Sequence, residues 1–345
     1  MLARIAYILS VQLLVILLIT SLVYLAPIDP ARLTFGQRAD AGTLAAKRAE
    51  LGLDASLPQQ MLWYLNDISP ISIHGDSILT KNKFSYFCLF ALSQKSIVIK
   101  KPYLRQSYQN GRNVTELLSD AIPKTALLAL LAMLGATLTG LFFGVIAALH
   151  HNSWIDRIVN TIAVLGVSLP SYVVAILLAF VFGYLFRDFT HLNLRGGLYT
   201  LDLQGNTTAV WRNLLLPAIA LGIRPVALIA SLTRSTMLDV LGMDYVRTAR
   251  AKGLSEPVVI IRHALRNALN PVTTAVSGWF ASLLTGAFFV ETVFNYDGLG
   301  SLTVNALINY DMPVVLGTVL FSAGLFVFIN ILTDTLYYWL DPRMR

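Results

Sequence analysis

Charged residues are scarce in this chain. Asp, Glu, Lys and Arg account for 13% of its 345 residues, whereas hydrophobic residues account for 56% and mean hydropathy is +0.65. A soluble protein of this length would carry about twice that share of charge. The composition therefore predicts a membrane protein.

Cysteine is nearly absent. Cys88 is the only one in the sequence, which excludes an intrachain disulfide and any CxxC metal or redox site. HExxH pairs, paired intramembrane aspartates and a Walker A sequence are also missing, so the chain is predicted to bind no metal or cofactor and to hydrolyse no ATP. The five histidines lie at the ends of apolar runs or in loops, at positions 74, 150, 151, 191 and 263. An intramembrane hydrolase is therefore disfavoured.

Long apolar runs are, by contrast, abundant. A helix needs about 20 apolar residues to cross roughly 30 Å of hydrocarbon. Six runs meet this requirement and predict six transmembrane helices: residues 5–28, 125–155, 158–186, 213–233, 267–290 and 312–340. The first run is longer than the apolar core of a signal peptide and is followed by no A-x-A cleavage pattern, so it is expected to persist as an anchor.

The loops between these runs predict an orientation. Residues 234–270 carry six Lys or Arg and three Asp or Glu, which places this loop in the cytoplasm by the positive-inside rule. With six spans, both termini are then cytoplasmic, whereas the acidic residues 291–311 and the long segment 29–124 lie outside. The formal net charge of +7 is spread over short segments, so it indicates membrane topology and no nucleic-acid partner.

The outside segment is predicted to fold. Residues 29–65 show helical periodicity, with Leu44, Leu51 and Leu53 among charged neighbours. Residues 84–93, FSYFCLFALS, are apolar but too few to span as a helix. They are predicted to form a strand or a buried helix within this segment.

The cytoplasmic loop has its own helix signals. Residues 245–252 are good helix formers, and Gly253 follows where a left-handed cap is needed. Ser255 can cap a second helix that has Pro257 in its first turn. The i, i+3, i+4 spacing predicts one apolar face on that helix: Val258, Ile261, Leu265 and Leu269. Two helices joined at a fixed turn can transmit force; the alternative is an amphipathic helix that binds anionic lipid headgroups.

The amino-acid sequence of this loop resembles that of a known family. DYVRTARAKGL at residues 244–254, followed by HALRNALNP at 263–271, resembles the cytoplasmic loop of the permease subunits of bacterial ABC importers, in the branch that carries dipeptides, oligopeptides and nickel. The broader permease motif, Glu-Ala-Ala-x-x-x-Gly, is matched only at Ala249 and Gly253. Other segments that resemble the B-type permease of peptide importers follow in order along the chain: LAPIDPARLTFGQRADAG, GRNVTELL, SLPSY, LLLPAIALGI, ETVFNYDGLG and LDPRMR.

The resemblance implies an all-α, polytopic type I ABC importer permease in the bacterial inner membrane, importing di- or oligopeptides by alternating access. ATP and Mg would be bound by separate ATPase subunits, and the other implied partners are a second, different permease subunit, an extracytoplasmic solute-binding protein and the lipid bilayer. The implied coupling helix that docks on the ATPase comprises Asp244, Tyr245, Arg247, Thr248, Ala249, Arg250, Ala251, Lys252, Gly253 and Leu254. Alternatives are a permease for nickel or another small solute, and a secondary transporter or channel.

The domain organisation follows from the spans and the resemblance. Residues 1–28 form an anchor helix, residues 29–124 an extracytoplasmic segment, and residues 125–345 a permease core of five transmembrane helices that contains the cytoplasmic loop 234–270. Residues 70–108 are an insert that the family does not usually have. This insert is expected to enlarge a docking surface or form a lid, or else to be a tolerated loop elaboration.

The third and fourth apolar runs contain candidate pathway residues. Arg224 lies in the middle of a run, where a charge costs about 2.5–3.5 kcal/mol on insertion scales, and can pair with a substrate carboxylate or with a neighbouring helix. Pro170 and Pro225 are expected to interrupt or kink their helices, and broken helices can line transporter cavities. The candidate pathway set is Ser168, Pro170, Ser171 and Arg224.

The second run contains a Gly-x-x-x-Gly pattern. Gly140 and Gly144 lie on one helix face, where the absence of side chains lets another helix approach closely. That helix can belong to this chain or to a second permease subunit. Packing within the chain is the expectation.

Overall fold

The computed structural model describes residues 10–19, 21, 40–51, 53–75, 86–92, 95–201, 206–284 and 287–340. Within these residues the chain forms two compact units. The first takes in the described residues up to Ala121 together with Leu302–Gly324. The second takes in Ile122–Ser301 together with the described residues from Leu325 onward.

Short helices and a small sheet make up much of the first unit. Its helices are α1, Ser10–Ile19; α2, Ala41–Leu51; and α3, Leu57–Ile68. Its antiparallel strands are β1, Ile71–Gly75; β2, Tyr86–Leu92; and β3, Lys95–Lys100, in the order β1-β3-β2. The predicted helical segment and the strand in FSYFCLFALS are therefore confirmed. The sheet is a local departure from the expected all-α fold.

Tyr64 anchors the interior of the first unit. Its side chain is buried and packs with Ile16 and Leu320. The guanidinium of Arg105 lies 5.4 Å from the centre of the Tyr64 ring and pairs with Asp67 at 2.8 Å. Burial raises the pKa of the Tyr64 phenol, because the charged phenolate would be poorly solvated there. The described part of the segment after the first apolar run is thus folded.

Long helices dominate the second unit. Three of the helices named next have residues in both units: Val114–Leu149, Leu299–Ile308 and Met312–Leu340. The helices are α4, Val114–Leu149; α5, Trp154–Ser168; α6, Ser171–Phe180; α7, Arg187–Thr190; α8, Leu215–Leu241; α9, Asp244–Ala251; α10, Glu256–Val258; α11, Arg266–Leu284; α12, Phe288–Phe294; α13, Leu299–Ile308; and α14, Met312–Leu340. The remaining elements are π-helical turns at Val181–Leu185 and Val259–Leu265, a 3₁₀ turn at Trp211–Leu214, and the paired strands β4, Tyr199–Leu201, and β5, Thr207–Ala209.

The described residues contain three helices that are long and apolar enough to cross a membrane: Val114–Leu149, Trp211–Leu241 and Met312–Thr333. Two bent helix pairs raise this number to as many as five: Trp154–Ser168 with Ser171–Leu185, and Glu256–Leu284 with Phe288–Phe294. Much of the first predicted span, residues 5–28, lies outside the described residues, and α1 alone is too short to cross. The number of six spans therefore stays a prediction.

The two prolines predicted to disturb helices behave differently. At Pro170 the helix breaks: Leu169 and Pro170 are extended, and the helices on either side are bent by 106°. The residue before a proline avoids the helical conformation, which explains the break. Pro225, in contrast, lies inside the continuous helix α8, so of the two alternatives for this proline the interruption is wrong. Packing of α8 against α5, α6 and α11 keeps that helix intact around the missing N–H.

The Gly-x-x-x-Gly pattern packs α4 against α8 within the chain. A Cβ on Gly140 would lie 2.8 Å from the Cβ of Ile229, and one on Gly144 would lie 2.6 Å from the Cβ of Thr233. Real Cβ atoms do not approach so closely, so the two helices can touch only because both positions are glycine. The expectation of packing within the chain is confirmed.

Candidate functional site

The basic loop forms two helices that meet at a tight turn. Helix α9 begins after Met243, whose backbone is extended (φ −77°, ψ 149°). Helix α10 begins after Ser255 with Pro257 in its first turn, as predicted. Ser255 occupies the N-cap position, but its side chain makes no capping hydrogen bond. We call residues 243–265 the elbow.

Gly253 makes the turn of the elbow possible. Its φ is +79°, a left-handed conformation that costs a residue with a Cβ about 1–2 kcal/mol. The Gly253 N–H donates to the Arg250 carbonyl at 2.9 Å, and the Leu254 N–H donates to the Ala249 carbonyl at 3.4 Å. These two bonds form a Schellman motif, which satisfies carbonyls at the end of α9. The left-handed cap predicted at Gly253 is confirmed.

Two side-chain contacts stabilise the elbow, one across its turn and one to the neighbouring helix α11. Nε of Arg250 donates to Oε1 of Glu256 at 2.8 Å across the turn. Nδ2 of Asn267 donates to the Tyr245 hydroxyl oxygen at 2.9 Å and links α9 to α11. Each exposed contact contributes about 1 kcal/mol or less. Together with the capped turn, they make the elbow a stiff element.

Helix α9 buries one narrow face and exposes the rest. Val246 and Ala249 are 0% and 6% exposed and pack in an apolar cluster with Met237 and Val259. The other candidate docking residues are exposed: Asp244, Tyr245, Arg247, Thr248, Arg250, Ala251, Lys252, Gly253 and Leu254. Ala249 therefore anchors α9 to its own chain, whereas the exposed residues are free to meet a partner. Val246, the main anchor, was not singled out from the sequence.

The apolar face predicted for the second helix is wrong. Two of its four residues, Val258 and Ile261, are exposed, whereas Val259 and Ala264 are fully buried. The cause is the π-helical turn Val259–Leu265, whose i→i+5 hydrogen bonds change the spacing of residues that share a face. The i, i+3, i+4 rule assumes a regular α-helix and therefore misplaces this face.

A buried ion pair joins α5 to α8 near the elbow. Asp156 is 3% exposed and accepts hydrogen bonds from both Nε and Nη2 of Arg234, the latter at 2.6 Å. Asn160 and the backbone N–H of Asn152 donate to the same carboxylate at 2.8 and 3.0 Å. From the sequence, Arg234 counts as a loop charge, but it lies inside α8. The only sequence signal for this pair is that Asp156 and Arg234 lie at the ends of predicted spans, on the same predicted side of the membrane.

Two acidic residues of the predicted outside loop are buried rather than solvated. Glu291 is 0% exposed and accepts hydrogen bonds from Thr125 Oγ1 at 2.7 Å and from the Ser301 N–H at 2.9 Å. In the other unit, Asp311 is 4% exposed and accepts from the Tyr108 N–H at 2.9 Å. These carboxylates accept hydrogen bonds from backbone N–H groups and from hydroxyl groups. Within the described part of the chain, no group of three or more His, Cys, Asp or Glu side chains could hold a metal ion.

Arg224 lies at a cleft between helices of the second unit. The cleft has a volume of about 200 Å³, and its lining includes Ser171, Trp279, Ser282 and Phe289. Nε of Arg224 is buried and has no hydrogen-bond partner in the described part of the chain. No carboxylate among the described residues pairs with Arg224 either. The structure therefore supplies no internal counter-ion for this mid-helix charge within those residues.

Two of the four candidate pathway residues come together at the cleft. Arg224 and Ser171 line it, whereas Ser168 and Pro170 do not. The Ser168 hydroxyl donates to the Val164 carbonyl of its own helix at 2.8 Å. Trp279, Ser282 and Phe289 were not predicted from the sequence, because nothing in an apolar run distinguishes a residue that faces a cleft from one that faces lipid.

Two family models match the chain. The model for "Binding-protein-dependent transport system inner membrane component" matches residues 140–345. The model for "Binding-prot-dependent transport system membrane comp, N-term" matches residues 1–129. The first alone covers more than half of the chain.

Curated relatives are similar over nearly the full length. The glutathione transport system permease protein GsiC of Pectobacterium atrosepticum is 35% identical over 333 residues, which cover 96% of this chain and 94% of the relative. The GsiC protein of Salmonella choleraesuis is 34% identical over 344 residues, which cover 100% and 98%. A solved structure of the MetNI methionine ABC transporter in inward-facing conformations covers 66% of this chain and 97% of its own, with a TM-score of 0.53 and 17% identity, which shows a likeness of fold alone. The chain therefore belongs to the family of binding-protein-dependent transport system inner membrane components and is a permease subunit of an ABC importer.

Proposed function

We propose that this permease subunit imports short peptides, of the size of a tripeptide, by alternating access. The observation that carries the proposal is the 34–35% identity, over nearly the whole chain, to permeases named for glutathione transport. Glutathione is itself a tripeptide. ATP and Mg are bound by separate ATPase subunits, and this chain contributes no group to ATP hydrolysis.

The proposed topology has six spans in the bacterial inner membrane, with both termini in the cytoplasm. Residues 1–28 anchor the chain, residues 29–124 lie outside, and residues 125–345 form the permease core. The excess of Lys and Arg in residues 234–270 supports a cytoplasmic position for the elbow. Further proposed partners are a second, different permease subunit, a solute-binding protein on the outer side and the lipid around the spans.

The elbow is proposed to be the docking point for the ATPase. Nine of its ten candidate residues are exposed, and the helix is capped and tied to α11. When the ATPase closes around ATP, a push on α9 passes through Val246 to the apolar cluster formed with α8 and the second helix. The Asp156–Arg234 pair then carries the displacement from α8 to α5. A stiff elbow moves these helices together, whereas a flexible loop would absorb the push.

The insert at residues 70–108 is proposed to enlarge the surface on which the solute-binding protein docks. Its strands expose three isoleucines on one face, Ile71, Ile73 and Ile99, which are 59%, 56% and 44% exposed. An exposed apolar face favours contact with another molecule. Unchanged uptake after deletion of residues 70–108 would contradict this role.

Charge reversal in the elbow tests the docking. In proteoliposomes that contain the complete importer, Arg247→Glu with Arg250→Glu should lower ATP-driven uptake of glutathione at least about tenfold, because the charge that the elbow presents to the partner is reversed. The ATPase subunit should also fail to co-purify. The matched control is Arg250→Glu with Glu256→Arg, which keeps the ion pair of the elbow but inverts its polarity. Full uptake by the variant with Arg247→Glu and Arg250→Glu would contradict docking at this face. Normal uptake by the variant with Arg250→Glu and Glu256→Arg would show that the ion pair only stabilises the turn.

A further inference from the structure

We infer that the Arg224 cleft binds the carboxylate of the transported peptide during its passage. This inference rests on the proposed function and names a site within this chain for one group of the substrate. It assigns binding to Arg224, with Ser171 and Ser282 beside it and Trp279 and Phe289 as apolar walls.

The charge of Arg224 lies in the middle of an apolar helix. A guanidinium inside an apolar helix is costly, so such a residue pairs with a counter-charge or faces water. Among the described residues Arg224 has no hydrogen-bond or ion-pair partner, and its Nε is shielded from solvent. In contrast, Arg234 on the same helix is fully engaged by Asp156. An incoming anion would satisfy Arg224 as Asp156 satisfies Arg234.

The groups that line the cleft match a carboxylate joined to an apolar group. The guanidinium fork matches a carboxylate, which can accept two parallel hydrogen bonds. Ser171 is the first residue of α6, and the start of this helix adds positive dipole character to the same wall. The cleft also offers an apolar surface: Phe289 lines it, and the centre of the Tyr172 ring lies 6.0 Å from that of Phe289. This combination suits a peptide end, which joins a carboxylate to a small carbon side chain.

The cleft is also large enough for such a group. Its volume of about 200 Å³ is more than ten times the ~10–15 Å³ that a cavity needs, on the same measure, to hold one water. It has room for a carboxylate and the atoms next to it, so Arg224 binds one end of the peptide.

The test measures protection of a thiol in the cleft. Cys88→Ser removes the native thiol, and Ser282→Cys places one in the cleft wall with little change in volume. The assembled importer in nanodiscs is treated with a maleimide in the presence of trialanine or of trialanine amide, which lacks the carboxylate. With Arg224 present, the concentration of trialanine that halves labelling should be about tenfold lower than that of the amide.

Variants of Arg224 decide the assignment. Arg224→Gln should abolish the difference in half-protecting concentration between the two peptides. Arg224→Lys should retain part of that difference, because Lys keeps the positive charge but cannot donate two parallel hydrogen bonds to a carboxylate. Arg187→Gln, which removes an exposed arginine outside the cleft, is the matched control and should leave the difference intact. An undiminished difference in Arg224→Gln, or no protection by either peptide in any variant, would overturn the inference.

Two further outcomes separate this inference from the proposed function. If the wild-type importer accumulates neither glutathione nor trialanine but trialanine still protects the thiol, the proposed transport fails and the site stands. If Arg224→Gln no longer co-purifies with the second permease subunit, Arg224 pairs with a carboxylate of that subunit, and the inference is overturned.

Discussion

At the scale of single residues, the charges of this permease that lie inside helices differ in how they are satisfied. Asp156 accepts four hydrogen bonds from its neighbours, from Arg234, Asn160 and Asn152. Arg224 has no such partner among the described residues. Pairing of a buried carboxylate suits stability, whereas Arg224 is partly exposed at the cleft and has a buried Nε that an incoming anion can satisfy, as inferred above.

The Asp156–Arg234 pair should be strongly coupled. Asp156→Ala leaves Arg234 without its partner in a site that is only 21% exposed, and should lower the free energy of unfolding by about 3 kcal/mol. A double-mutant cycle with Arg234→Ala, measured by denaturant titration in detergent micelles, should give a coupling energy above about 1 kcal/mol. Additive effects of the two substitutions would contradict this prediction.

An exposed pair in the same chain provides the control. Arg112 and Asp120 are joined at 2.7 Å, but their side chains are 50% and 58% exposed. Solvent screening limits such a pair to about 0–1 kcal/mol. The same cycle at these two residues should therefore give a coupling energy near the lower end of that range.

Gly253 should tolerate substitution poorly. Gly253→Ala forces a Cβ into a left-handed conformation and should cost about 1–2 kcal/mol in the free energy of unfolding, with a matching loss of ATPase co-purification. Gly253→Asn should cost less, because Asn adopts this conformation more readily. Gly242→Ala is the control, since Gly242 has a helical φ of −77° and room for a Cβ. Equal effects at both glycines would show that backbone conformation is not the cause.

At the scale of elements, helix α8 is the centre of the second unit. It packs against α5, α6 and α11, and its Ile229 and Thr233 lie against the glycines of α4. Because α8 also leads into the elbow, any displacement of the elbow is passed to helices that touch α8 directly. Close packing makes that transmission stiff.

The α4–α8 contact should respond sharply to added volume. Gly144→Ala would place a Cβ 2.6 Å from Thr233 and 2.7 Å from the Ala230 carbonyl oxygen, so the helices must separate. We expect a loss of about 1–3 kcal/mol in the free energy of unfolding. Gly135→Ala in the same helix is the control, because no atom lies within 4 Å of the added Cβ. The result would argue against close packing if Gly144→Ala were as stable as Gly135→Ala.

At the scale of the whole molecule, the single cysteine allows the proposed topology to be tested. Cys88 is exposed and lies in the segment proposed to be outside, so a membrane-impermeant maleimide should label it in intact cells. In the variant that combines Cys88→Ser with Lys252→Cys, the introduced thiol lies in the elbow and should be labelled only after the membrane is opened. Labelling of that introduced thiol in intact cells would invert the topology and remove the basis for docking the ATPase there.

The sequence predicted several elements well because the signals for them are local. Helix formers before Gly253, a proline after Ser255 and an apolar segment too short to span all act through neighbouring residues. The π-helical turn and the buried state of Glu291 were not predicted, and the sequence did not decide between a broken and a continuous helix at Pro225. Each depends on what packs against the element, and a periodicity rule contains no such information.

By itself, the sequence predicted a membrane protein from its composition and apolar runs, a permease from its resemblance to the permeases of peptide importers, and the turn of the elbow at Gly253. These predictions rest on composition, hydrophobic length, motifs and backbone conformation, which are properties of short stretches of chain. Only the tertiary structure decided that Arg234 is paired and that Arg224 is without a partner among the described residues, although both are arginines on one apolar helix. The reason is physical: the state of a charge in a helix depends on which side chains from distant parts of the chain lie within a few ångströms of it.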